Sequence, residues 1–338
     1  MRAYHVTTFD GLSSLQPVEL PKPAPKAGQV LVAMRAGSLN FRDLMVANGI
    51  YPMDRSRPVV PMSDGTGEVV EVGHGVTGFK VGDRVMGTFF YNWEDGDLTA
   101  EQMPLSRGGN IPGTLAEYCV FNEHELVHMP AHLSYEEAAT LPCAAVTAWQ
   151  GLVKLGGIKA GDTVLTLGTG GVSLFALQFA KMHGAKVIIT SSSDEKLARA
   201  KAMGADVLIN YRTHPDWEQK VLEATNGRGA DHVIELGGAG TLEKSLQAVR
   251  HSGKVYVIGV LAHNDTSPSP ALQILFRQVQ VLGILVASRQ TLIDMNKAIE
   301  VNGLRPVIDK TFSFDQAPQA YQHLAGGSHF GKVVIAFP

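Results

Sequence analysis

Apolar positions along this chain follow two different patterns. Up to about residue 125 they come in short apolar runs broken by Gly and Pro, such as QVLVAMRAG, TGEVVEVG, DRVMGTFF and GTLAEYCVF. Short apolar runs with turn punctuation predict strands, and so a β-rich domain over residues 1–125. From Ser134 the period lengthens: SYEEAATLPCAAVTAWQGLVKL predicts a helix, opened by Ser134 and Glu137 at capping-box spacing. Continuous apolar runs follow (TVLTL, KVIIT, DVLIN, DHVIEL, KVYVIG, VQVLGIL), linked by the helical segments SLFALQFAKMHG, DEKLARAKAMG and GTLEKSLQAVRHSG. Buried strands separated by helices predict an α/β fold, a doubly wound parallel sheet of six strands over residues 126–304. VIDKTFSF and GKVVIAF then flank the helical DQAPQAYQHLAGG, so residues 305–338 are expected to return to the first domain. The polar stretch from Phe89 to Gly113 is too long for a hairpin loop and is expected to border the substrate site.

Length and composition narrow the classes. A chain of 338 residues with 45% apolar and 18% charged residues fits two soluble domains. A net charge of -3 lacks the basic excess of a nucleic-acid surface. No apolar run approaches the ~18 residues of a membrane span, and MRAYHVTTFDG has no signal-like core. Two cysteines, Cys119 and Cys143, make no disulfide framework, and a reduced, cytoplasmic setting is expected.

The first strand–helix junction of the second region reads Gly168-Thr169-Gly170-Gly171-Val172-Ser173. Glycines between a strand and a helix make the tight turn and the close backbone approach that a pyrophosphate needs at a helix N-terminus. Ser173 stands at the third glycine position, where a small residue serves helix–strand packing. At the end of the second strand, where an acid binds the ribose of NADH, stand Thr190, Ser191, Ser192 and Ser193. Hydroxyls accept a 2′-phosphate that an acid would repel. With Lys196 and Tyr211-Arg212 nearby, the expected cofactor is NADPH ahead of NADH. Asp194 is the counter-signal, expected to point into the first helical turn.

Five stretches together resemble the medium-chain dehydrogenase/reductase superfamily, and within it the zinc-independent quinone oxidoreductase-like branch: AGSLNFRDLMVANGIYP, GTGEVVEVGHGVTGFKVGDRV, LPCAAVTAWQGL, the glycine turn and GKVVIAF. The resemblance spans essentially the whole chain. It implies a GroES-like catalytic domain that includes the C-terminal tail, a Rossmann domain between, and an active site in the cleft. Zinc-dependent members hold their metal at positions that here read Asn40, Ser63-Asp64 and Cys143. Only Cys143 is a good zinc ligand, against the three protein ligands a catalytic site needs, so no zinc is expected.

Without a Lewis acid, hydrogen-bond donors must hold the carbonyl oxygen and a side chain or water must supply the proton. The resemblance to enoyl reductases makes Tyr51, in NGIYP, the expected proton donor. Asn40 is the expected polar group orienting substrate or nicotinamide, and Asp43 a third catalytic candidate that can equally cap a helix or pair with Arg42. For the cofactor the resemblance adds Thr147 near the nicotinamide, Gly237 after the fourth strand and Gly259-Val260 after the fifth. It also adds Leu285-Val286 closing the sixth strand and Lys332 reaching the pyrophosphate. The expected reaction is hydride transfer from NADPH to a quinone or activated enone. The alternatives are a zinc-independent alcohol or aldehyde oxidoreductase and a catalytically inert NADPH-binding protein. The apolar sixth strand at a sheet edge predicts a homodimer joined there.

Overall fold

The short apolar runs of the N-terminal region form antiparallel strands in the computed structural model, which describes residues 1–259 and 270–338. β1 (Arg2–Val6) and β2 (Leu15–Glu19) make a two-stranded sheet. β3 (Gln29–Leu39) runs into α1 (Phe41–Ala47), and is followed by β4 (Asp64–Val72), β5 (Arg84–Gly87), β6 (Tyr118–Asn122), β7 (Leu126–His128), α2 (Tyr135–Ala138) and α3 (Val146–Trp149). The next stretch alternates: β8 (Thr163–Leu167), α4 (Gly171–Met182), β9 (Lys186–Ser191), α5 (Asp194–Ala202), β10 (Val207–Asn210), α6 (Trp217–Ala224), β11 (Ala230–Glu235), α7 (Leu242–Ala248), β12 (Val249–Val257), α8 (Ala271–Arg277) and β13 (Gln280–Gly283). The chain ends with α9 (Arg289–Asn302), β14 (Ile308–Ser313), α10 (Ala317–Ala325) and β15 (Lys332–Ala336).

Two compact units result: Met1–Val146 with Val286–Pro338, and Thr147–Leu285. The first is built on a seven-stranded sheet ordered β14-β15-β3-β4-β5-β7, with β6 also on β3. The tail therefore rejoins the first unit, β15 pairing antiparallel with β3. Val30, Val32 and Met34 of β3 pack with Val69, Val85 and Phe121, while Leu39 joins Tyr4, Leu44, Tyr321, Val333 and Ile335 in a second core. At Gly67 the strands approach so closely that a Cβ would lie 2.2 Å from the Ala33 carbonyl oxygen.

The second unit is a parallel sheet of six strands, ordered β10-β9-β8-β11-β12-β13. Strand order reverses between β8 and β11, and the crevice at the carboxyl ends there is where such sheets take their ligands. Leu165, Ile188, Val233 and Val255 fill its core.

Three boundaries differ from the sequence pattern, each for a packing reason. α2 lies against β3, β4 and β15, and α9 against β7, so both helices belong to the first unit and the second is shorter than residues 126–304. The long helix expected from Ser134 contains π-type turns at Leu141–Ala145 and Gln150–Leu155, the first around Pro142, which has no N–H to give. The helix expected through GTLEKSLQAVRHSG ends at Ala248, because buried, β-branched Val249 opens β12 beside Ala230.

Candidate active site

Asn40 occupies the N-cap of α1, at the end of the longest strand of the first unit. Its backbone N–H donates to Asp43 Oδ2 at 2.8 Å, and Arg42 Nη1 donates to Asp43 Oδ1 at 3.2 Å. Asp43 is fully buried and both of its oxygens are spent on these donors, so its place is that of a capping and ion-pairing residue, not a free acid. Burial raises the Asp43 carboxyl against the opposing pull of Arg42.

Arg42 is the hub of this corner. Nη1 also donates to the Arg107 carbonyl at 3.0 Å and the Gly108 carbonyl at 3.2 Å, and Nη2 to Ser106 Oγ at 3.4 Å. The guanidinium stacks 4.4 Å from the Tyr51 ring centroid and 5.3 Å from that of Phe89. Tyr51, beyond the far end of α1, is thereby drawn back toward the first turn of the helix, and its hydroxyl donates to Ser106 Oγ at 3.3 Å. The polar stretch from Phe89 to Gly113 thus touches the expected proton donor through Ser106 and is held by Arg42. The sequence paired Arg42 with Asp43; nothing in it marked Ser106.

Lys332, the expected pyrophosphate contact, is held inside the first unit. It is 3% exposed on β15, and its ammonium donates to the Leu39 carbonyl at 2.7 Å and to Asn40 Oδ1 at 2.5 Å. Asn40 Nδ2, the donor end of the amide, donates one hydrogen to Ser63 Oγ at 3.4 Å. Ser63 Oγ in turn donates to Asp64 Oδ1 at 2.8 Å, while Asp64 Oδ2 is buried with no partner. Burial pushes the Asp64 carboxyl up to about 6, Lys332 opposing it, so the group is largely ionised at neutral pH. Burial also pushes the half-buried Cys143 thiol up, and Asp64 adds to that. Among the described residues no group of three His, Cys, Asp or Glu side chains is placed to hold a metal ion. Asp64 offers a carboxylate, but the other donors here suit a zinc ion poorly on their chemistry: an amide oxygen already held by an ammonium, a hydroxyl, and a single thiol. A cavity of about 370 Å³ opens elsewhere in this unit, between His5, Arg57, Asn110 and Tyr118, and none of Asn40, Tyr51, Asp64 or Lys332 lines it.

In the second unit the glycine turn sits where the strand order reverses. Gly168 adopts φ 75, a left-handed value natural to glycine, and its N–H donates to Thr190 Oγ1 at 3.2 Å. Gly170 caps α4, and nothing lies within 4 Å of where its Cβ would stand, which leaves the helix N-terminus open to a pyrophosphate. Thr169 is buried, and Gly171 and Val172 begin α4. Ser173 is buried and donates to the Leu167 carbonyl at 2.7 Å, so the hydroxyl is absorbed in the helix–strand contact. These residues fit a dinucleotide.

At the end of β9, Ser191 Oγ accepts from the Ser193 N–H, and Ser193 caps α5 by accepting from the Lys196 N–H. Ser192 is half-buried beside them. Asp194 turns to Asn210, whose Nδ2 donates to it at 2.7 Å, instead of into its own helix. Tyr211 is exposed, its N–H on the Ser191 carbonyl.

Gly237 is held by a feature the sequence did not flag: Glu235, fully buried at the end of β11. Its Oε1 accepts from the N–H groups of Gly237 at 2.7 Å and Gly238 at 3.0 Å and from Thr241 Oγ1, and its Oε2 from Ser245 Oγ. Gly259 follows β12 at a point where a Cβ would meet the Leu236 carbonyl. Thr147 is buried at the start of the second unit. Val260 lies outside the described residues. The sixth strand stops at Gly283, short of Leu285-Val286: Leu285 is exposed, and Val286 has φ 59 and belongs to the first unit.

Comparison with known proteins matches residues 26–131 to the alcohol dehydrogenase GroES-like domain and residues 171–300 to the zinc-binding dehydrogenase model. The second match excludes Asn40, Ser63, Asp64 and Cys143. A zinc-type alcohol dehydrogenase-like protein of Schizosaccharomyces pombe is 46% identical over 97% of this chain and 96% of its own. The human quinone oxidoreductase is 26% identical over 99% of this chain and 97% of its own. The crystal structure of an NAD-dependent alcohol dehydrogenase superposes with a TM-score of 0.91 at 35% identity, covering 99% of both chains. With a GroES-like unit, a six-stranded dinucleotide sheet and these relatives, the chain belongs to the medium-chain dehydrogenase/reductase superfamily and is an NAD(P)H-dependent oxidoreductase.

Proposed function

We propose that this enzyme is a zinc-independent, NADPH-dependent reductase of quinones and activated enones. The observation that carries the reading is the Asn40 corner, where an amide donor stands at a position that a metal ligand occupies in zinc-dependent relatives, and Arg42 of the same helix holds a phenol, Tyr51. Bound NADPH supplies a hydride. Asn40 Nδ2 donates to the acceptor's carbonyl oxygen as negative charge grows on it, and Tyr51 delivers the proton. Arg42 and Ser106 fix where the Tyr51 hydroxyl stands. The glycine turn cradles the pyrophosphate, and Ser191, Ser192, Lys196 and Tyr211 receive the 2′-phosphate. The names of two close relatives favour a second reading, alcohol or aldehyde oxidation and reduction by the same hydride geometry. Steady-state rates with NADPH and NADH across quinones, enones and alcohols, with zinc measured on the same sample, separate the two. Activity confined to alcohols, in a preparation carrying one zinc per chain and silenced by chelation, overturns the proposal.

Two substitutions probe the parts. Tyr51→Phe keeps the ring on Arg42 and removes only the hydroxyl; kcat is expected to fall about 100-fold, the typical share of a positioned acid. An unchanged kcat assigns the proton to water. Ser192→Asp places a carboxylate beside the 2′-phosphate; KM for NADPH is expected to rise at least about tenfold while that for NADH holds or falls. Equal effects on both cofactors remove the serines from the binding site.

The dimer expected at the sheet edge has support in the second unit. β13 is the edge strand, and nearby α8 exposes Leu272, Leu275 and Phe276 by 65%, 67% and 74%. Unpaired strand edges and apolar patches of this kind are ordinarily covered. Sedimentation is expected to give a dimer, and Phe276→Glu a weaker one. A wild-type monomer at micromolar concentration refutes the proposal.

A further inference from the structure

Lysine is almost never fully buried unless it is paired. Lys332 is buried, and its ammonium has three hydrogens to place. Two go to the Leu39 carbonyl and Asn40 Oδ1. The charge also acts on the Asp64 and Asp43 carboxyls and the Cys143 thiol, so it sits amid the residues at the metal-ligand positions of zinc-dependent relatives. Asp43 is already matched by Arg42 and the Asn40 N–H. Asp64, with Oδ2 unpartnered in the interior, is the carboxyl left to balance Lys332.

The two ends of an asparagine amide are nearly the same shape, so an unrestrained Asn40 would present either a donor or an acceptor. An ammonium can only donate. It accepts the amide in one orientation, with Oδ1 toward Nζ, and a flip would press NH₂ against NH₃⁺. Drawing charge through Oδ1 also makes Nδ2–H a stronger donor.

We propose that Lys332 is the positioning residue and fixed cation of the active site: it locks the Asn40 amide with Nδ2 toward the substrate's carbonyl oxygen and stabilises the anion that forms there. The proposal rests on the reductase reading above. In the step, hydride adds to the electron-poor carbon and an electron pair moves onto the carbonyl oxygen. Nδ2–H holds that oxyanion, and a proton from Tyr51 completes the reduced product. The ammonium in this way places positive charge near the oxyanion without a metal ion.

The test separates this role from a pyrophosphate contact. Lys332→Met is combined with Asp64→Asn, so that no buried charge is left unpaired. Folding is followed by thermal melts, NADPH binding by fluorescence titration, and kcat at saturating NADPH. p-Nitrophenol, a phenol whose anion mimics the oxyanion, is titrated in the NADP⁺ complex by its absorbance. The paired variant is expected to bind NADPH within about threefold of wild type and to lose about 50-fold in kcat. It should also titrate bound p-nitrophenol at least about one pH unit higher than wild type. Lys332→Arg, which keeps charge and donors, is expected to stay within about half a unit of wild type, and a full unit's rise there overturns the proposal even if the paired variant fails to fold. An NADPH affinity loss that accounts for the whole effect, with kcat intact, makes Lys332 a cofactor contact and overturns it as well. If wild type reduces no quinone or enone, the reductase reading falls, while the p-nitrophenol titration still decides the role of Lys332.

Discussion

Arg42→Met is expected to destabilise the first unit by about 3–5 kcal/mol, because it leaves the Asp43 carboxylate buried without its counter-charge. Asp43 is fully enclosed and keeps only the Asn40 N–H once the guanidinium is gone. The same change frees the carbonyls of Arg107 and Gly108 and removes the stack beneath Tyr51. For a unit of this size the loss corresponds to a Tm lower by on the order of 10 °C. Activity is expected to fall further than stability explains, since Tyr51 and Ser106 lose their common anchor. A thermal melt and kcat measured well below the melt check both parts. Pairing Arg42→Met with Asp43→Asn should recover a good part of the stability, because no buried charge remains, but not the activity. Recovery of both would mean that Arg42 serves only the ion pair.

Glu235→Ala should produce a comparable loss in the second unit, for the opposite reason. Here one carboxylate serves four donors, two of them backbone N–H groups of the turn. Each buried donor left without a partner costs about 1–3 kcal/mol, and partial relaxation of the Gly237–Thr241 turn brings the sum to roughly 3–5 kcal/mol. Because this turn follows β11 beside the point where the strand order reverses, NADPH affinity is expected to drop with stability. Urea denaturation and NADPH titration of the variant test this, with hydrogen exchange at Gly237 and Gly238 reporting the loop directly. Exchange rates unchanged from wild type would show that the backbone holds the turn by itself. Glu235→Gln, which keeps the shape but replaces one acceptor oxygen with a donor, should fall between.

What could be read from the chain follows from which features are local. The strands TVLTL and KVIIT, the glycine turn between strand and helix and the cap at Ser134 depend on neighbours within a few residues, and all appear where the pattern put them. The return of GKVVIAF to the first sheet was legible because the chain turns β-rich again after its last long helix. Long-range packing moved the rest. Nothing local to TLIDMNKAIEVNGL says that it packs on β7, and nothing near Val249 announces that its partner is Ala230. The strand expected through Leu285-Val286 stops at Gly283, and the chain leaves the second unit two residues later, after Leu285.

By itself, the sequence determined the fold class, the glycine turn and the residue types at the Asn40 corner, because periodicity, backbone freedom at glycine and donor chemistry are properties of short segments. Tertiary structure alone decided which partners those residues meet. It consumed Asp43 in an ion pair and a cap, brought Ser106 against Tyr51 across 55 residues, and set Lys332 on Asn40 across 292. Buried charges and hydrogen bonds are satisfied by whatever the fold brings near, and no spacing in the chain records that.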